Sequence, residues 1–91
     1  KEKEQIIVQN VALNVQDEIS LASGSTDGYS RNFLIPQEIL GESYDITVAN
    51  GYVNVSLKKF VVFYKVAEVQ GSIQKGNNFI KKENGAVYLN Q

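Results

Sequence analysis

The stretch 27–51, DGYSRNFLIPQEILGESYDITVANG, decides how this chain is read. Within it Tyr29, Arg31, Phe33 and Ile35 alternate with Ser30, Asn32 and Leu34, the period of two that an extended strand imposes. Pro36 ends that strand, because it has no N–H to donate to a ladder. The IPQEILGES segment turns the chain, with Ile39 and Leu40 expected under the sheet edge, and Tyr44, Ile46 and Val48 resume the alternation. Asn50-Gly51 then marks a tight hairpin turn of the primed type, with Val53, Val55 and Leu57 on the return strand.

Working downstream, Lys58-Lys59 reads as a kink or brief interruption of the sheet. FVVFYKVAEV, residues 60–69, is apolar on both faces and is expected at the centre of the sheet. Gly71, Gly76 and Asn84-Gly85 punctuate the tail, which predicts a short strand around Ile73 and a final hairpin pairing 79–82 with 86–89.

Upstream the period changes. Val8, Val11, Ala12, Val15, Ile19 and Ala22 recur at helical spacing in one stripe about a third of the circumference wide. Gly24, after Ala22-Ser23, closes the helix by taking the left-handed conformation that satisfies its last carbonyls. Val8, Val11, Val15, Ile19 and Ala22 are therefore assigned to the helix face that meets the sheet. Ile6, Leu13 and, more loosely, Leu21 project opposite that stripe. They are either scattered surface apolar residues, which are common, or the contact face for a neighbouring subunit. The expected architecture is α+β: one N-terminal amphipathic helix, residues 1–24, packed on an antiparallel β head, residues 25–91, of five to seven short strands.

Composition narrows what such a fold can do. The 91 residues suffice for one domain, and 43% apolar with 21% charged residues describes a chain that folds. Net charge is -1 with the basic residues scattered, so no field draws a phosphate backbone, and nucleic acid is not an expected partner. There is no His, Cys, Met or Trp, hence no imidazole base, no thiolate, no disulfide and no soft metal ligand. The longest strongly apolar run, residues 60–64, falls far short of the ~20 residues that cross a bilayer.

The remaining chemistry-bearing residues carry no reaction. Asp17 and Glu18 are neighbours on a helix, about 100° apart, and read as solvated polarity rather than as a paired acid and base. STDGYS lacks the alternating acids of a calcium loop, and GSTDG and KGNN do not match a phosphate loop, so neither metal nor cofactor is predicted. No histidine stands ready to activate a serine, and the chain does not read as an enzyme. Arg31 can pair with Asp27 or Glu38, or stack on an aromatic. Tyr29, Tyr44, Tyr52, Tyr64 and Tyr88 fall in or beside strands, where rings cover sheet edges or form a sugar-binding platform. Asn54-Val55-Ser56 is an acceptor sequon for N-glycosylation, which acts only on exposed, extracytoplasmic chain.

Residues 10–90 resemble the soluble part of archaeal type IV pilin-like proteins that carry a class III signal peptide. The likeness lies in Asp27, Gly28, Tyr29, Arg31 and Phe33 of the first strand, the Pro36, Leu40 and Gly41 turn, and Tyr44, Ile46 and Val48 of the second strand. Lys75, Gly76, Asn78, Ile80, Asn84 and Gly85 continue it through the tail. The resemblance implies a membrane-anchored precursor, cut by a prepilin peptidase, whose apolar N-terminal helix packs into the core of a surface filament. It implies an extracellular, cell-surface location and self-association through the helix. It also implies that an apolar segment upstream of KEKEQ reaches the membrane. The other reading is a tethered head that does not polymerise and binds glycan or protein through its tyrosines and Arg31.

Overall fold

The computed structural model describes residues 2–91. Helix α1 (Glu2–Ser23) is followed by seven strands: β1 (Ser30–Ile35), β2 (Asp45–Ala49), β3 (Tyr52–Leu57), β4 (Phe60–Lys65), β5 (Val69–Gly71), β6 (Gly76–Glu83) and β7 (Ala86–Leu89). The fold is α+β, with the helix packed across two sheets. One sheet has the order β2-β3-β4 and is wholly antiparallel; the other has the order β1-β6-β7-β5, in which only β5 and β7 run parallel.

Helix formation follows from the burial of one stripe. Val8, Val11, Ala12, Val15, Ile19 and Ala22 are all buried, and each Val or Ile so covered contributes roughly 1.5–3 kcal/mol. That outweighs the tenths of a kcal/mol lost to β-branched side chains within a helix. Gly24 does not take the left-handed conformation expected of it; the helix stops where Gly24 N–H donates to Ser20 O and Ser25 N–H to Ala22 O, with the Ser25 hydroxyl donating to Leu21 O. Its polar ties run along the head: Glu4 reaches Lys58 beyond β3, Gln16 donates to Lys65 O at the end of β4, and Lys82 of β6 donates to Ser23 O. The stretch of α1 from Glu4 to Gln16 thus lies along β3 and β4, and its end lies over β6.

Tight turns set the strand registers. Asn50 and Gly51 have φ of 56° and 83°, both in the left-handed region, so the β2–β3 hairpin closes with Ala49 opposite Tyr52. The Asn84-Gly85 turn has the same pattern and places Glu83 opposite Ala86. Lys58-Lys59 is a full hairpin turn rather than a kink, with Lys58 at φ 54° and Leu57 opposite Phe60.

Three further expectations need correction. The 60–65 strand is an edge, not the centre: β3 holds the middle of its sheet, and Val61 and Phe63 face out. A run apolar on both faces cannot be told from a doubly buried strand by its pattern alone. Leu40 is exposed, because it sits at positive φ in a Leu40-Gly41 turn bridged by Ile39 and Glu42, and Ile39 alone goes under the sheet. The short strand of the tail is 69–71, and Ile73 follows it outside the ladder.

Candidate functional site

The helix presents two different surfaces. Val8, Val11, Val15, Ile19 and Ala22 join the single core with Phe33, Ile35, Ile39, Tyr44, Val53, Val55, Leu57, Ile80, Val87 and Leu89. On the far side Ile6, Leu13 and Leu21 are 54%, 37% and 50% exposed. Ile6 and Leu13 stand seven residues apart, so at 3.6 residues per turn they lie about 20° apart around the axis. Asn10 and Asp17 occupy the same side and are exposed, which makes the outer stripe alternate between apolar and polar. Leu21 lies roughly 60–80° further round and extends the stripe rather than continuing the Ile6–Leu13 line.

A shallow groove of about 450 Å³ runs between α1 and β1, lined by Asn14, Glu18, Arg31, Phe33, Leu34 and Asn77. Its polar centre is Arg31, whose Nε lies 3.0 Å from Glu18 Oε1. Asp27 and Glu38, the partners expected from local sequence, are not used. Asp27 instead accepts the Gly85 N–H at 3.0 Å and clasps the loop before β1 to the β6–β7 turn. Glu18 is buried rather than solvated, because its position on the wheel borders the core stripe and faces β1. The contact is an ion pair without hydrogen-bond alignment, and Glu18 Oε1 has no aligned donor among the described residues. With its guanidinium side chain half-exposed, such a pair contributes on the order of 0–1 kcal/mol. The charge of Arg31 is paired within the chain by Glu18, the one carboxylate in the groove lining.

Lys58 gathers two carboxylates, Glu42 at 2.8 Å and Glu4 at 3.3 Å. Hydrogen bonding to Glu42, then to Glu4, raises its ammonium above the ordinary 10.5. The cluster fastens the helix start and the Ile39–Glu42 turn to one end of the three-stranded sheet. Among the described residues no three His, Cys, Asp or Glu side chains group as metal ligands, and no helix is long and apolar enough to cross a membrane.

The tyrosines divide by environment. Tyr44 is buried, its hydroxyl donates to Pro36 O, and the Lys75 ammonium lies 4.7 Å from its ring centre. Lys81 lies 5.7 Å from the Tyr88 ring, and Tyr29 and Tyr64 pack partly against the core. Lys81 and Lys82 sit in β6, an interior strand. Tyr52 alone among the five is exposed, and it meets Phe63 edge-on at 6.0 Å on the outer face of β2-β3-β4. Asn54 is exposed on that same face, directly opposite Phe63 in the ladder.

Most residues that carry the family resemblance act in the fold. Gly28, Gly41, Gly76 and Gly85 take positive φ, Asp27 and Tyr44 tie turns, and Asn78 is a buried polar anchor of the tail. Sequence reasoning placed Asn78 in the tail motif without seeing its burial; the signal was a polar residue at a position whose neighbours by two, Gly76 and Ile80, alternate into a strand. In comparisons with protein-family models, with curated proteins and with solved structures, nothing matches this chain.

Proposed function

We propose that this chain is the soluble portion of a type IV pilin-like subunit of an archaeal cell-surface filament, acting by assembly and not by catalysis. The observation that carries the reading is the two-sidedness of α1. One face is fully committed to its own head, while Ile6, Leu13 and Leu21 stay uncovered on the other. A subunit bundling with its neighbours needs apolar side chains on the outer side of its helix, and Ile6, Leu13 and Leu21 supply three. The motif residues of the resemblance add the family, and an upstream apolar segment continuing α1 would supply the membrane anchor and the filament core.

The test is made in the organism that encodes the protein. The coding sequence upstream of Lys1 is read, and the cell surface is imaged with an antibody against the head in wild-type cells and in cells carrying Leu13→Gln in the full-length protein. The expected result is labelled filaments in the first and dispersed, folded subunits in the second. Absence of labelled filaments in wild-type cells overturns the proposal. The tethered binding head remains the second reading because Tyr52 and Phe63 are uncovered; it expects Leu13→Gln to be harmless and Tyr52→Ala to abolish adhesion.

A further inference from the structure

The outer face of β2-β3-β4 holds the largest aromatic exposure of the head. Phe63 is 61% exposed, Val61 59% and Tyr52 42%, and all three point away from the core. They surround one residue: Asn54 faces Phe63 across the β3–β4 ladder, follows Tyr52 by two positions on the same face, and is diagonal to Val61. Directly opposite residues on one sheet face have Cβ atoms ~5 Å apart. Asn54 therefore stands on a ridge between two shallow grooves. One, about 310 Å³, is lined by Ala49, Asn50, Tyr52 and Phe63; the other, about 240 Å³, by Asp45, Thr47, Ser56 and Val61.

Asn54-Val55-Ser56 is also the one glycosylation sequon in the chain. The geometry points to a single occupant for this patch: we propose that an N-linked glycan on Asn54 is the chain's own cover for it, its first sugar ring lying with its C–H face on the Phe63 ring and its hydroxyls turned to water. An attachment one residue along β3 would emerge on the opposite, core-facing side, since Val53 and Val55 are fully buried. Position 54, where the one sequon of the chain lies, puts the linkage nitrogen directly opposite Phe63 and two residues from Tyr52 on the same face. The modification forms a bond from the Asn54 carboxamide nitrogen to the sugar's anomeric carbon and breaks that carbon's bond to the phosphate oxygen of a lipid-linked oligosaccharide donor; the lipid phosphate leaves and the nitrogen gives up one proton, taken up by the released phosphate or water.

The inference rests on the extracytoplasmic placement proposed above, and two readouts separate its failure from the failure of that placement. The full-length protein is isolated from its own cells after labelling intact cells with a membrane-impermeant amine reagent, and the tryptic peptide that carries Asn54 is analysed by glycopeptide mass spectrometry. Thermal unfolding is then compared for wild type, Ser56→Ala, Phe63→Ala and the double variant, all made in the same cells. Ser56→Ala destroys the sequon while keeping Asn54, and Phe63 is exposed on an edge strand, so each variant retains its core. The expected result is surface labelling, sugar on Asn54, and a Tm about 3 °C or more lower in Ser56→Ala, a loss that disappears in the Phe63→Ala background. A labelled protein with bare Asn54 overturns the inference and leaves the filament reading standing. An unlabelled protein overturns the placement, and the inference with it. A glycosylated protein in which Ser56→Ala lowers Tm equally with and without Phe63→Ala overturns the stacking.

Discussion

Asn78 has no exposed surface, yet its carboxamide is fully used: Oδ1 accepts from Gln74 N–H and Asn90 Nδ2, and Nδ2 donates to Gln74 O and Gly76 O. Asn90 extends the clasp to Ser72 O and Phe79 N–H. Replacing Asn78 by Ala strands several of these partners, and the expected loss is about 2–3 kcal/mol in urea unfolding. Gly71 is equally constrained, at φ 107° with Leu89 O pressed against the place a Cβ would occupy. Gly71→Ala is expected to open the β5–β7 pairing and cost more than about 2 kcal/mol in the same measurement. Tyr44 adds a pH dependence. Burial raises its phenol above 10.0, so above about pH 10 the folded chain keeps a proton that the unfolded chain releases. Stability is therefore flat below that pH and falls as pH rises further, and the raised Lys58 acts in the same direction. Tyr44→Phe should cost about 1 kcal/mol at pH 7 and show a shallower decline by about pH 11, measured by denaturant unfolding at both.

At the scale of elements, the two faces of α1 separate stability from assembly. Ile19→Ala removes a side chain with no exposed surface and should cost about 2–5 kcal/mol, whereas Leu13→Gln should change the unfolding free energy by within about 0.5 kcal/mol. The contrast is read by circular dichroism of the two purified variants. The elements differ in how plainly they can be read from the residues. The β2–β3 and β6–β7 hairpins were legible because Asn50-Gly51 and Asn84-Gly85 name their own turn geometry. The helix was legible because Val8, Val11, Ala12, Val15, Ile19 and Ala22 share one stripe. The order of strands was not: Val61 and Phe63 read as core because nothing local distinguishes a doubly buried strand from an edge with an apolar outer face. Nor was the Glu18–Arg31 pair legible, since it joins residues whose contact exists only once α1 lies on β1.

At the scale of the whole molecule, the two sheets are joined through the helix. Substantial packing runs from α1 to β3 and β4 of one sheet and to β1, β6 and β7 of the other. Loss of α1 packing should therefore loosen both sheets together. In Ile19→Ala, amide exchange of Val55 and Ile80, one from each sheet, is expected to quicken by a similar factor; protection retained at one alone would show that the sheets fold independently. The molecule is 42 Å long and 16 Å in its thinnest direction, with a 22-residue helix of about 33 Å as its spine. The ties from Glu4 to Lys58 and from Gln16 to Lys65 bracket the two ends of β4, which lays the helix lengthwise along that strand. Tension applied at the N-terminal end of the helix therefore has two routes into the head: along the backbone of α1 into β1 of one sheet, and sideways through these ties into the β3–β4 side of the other.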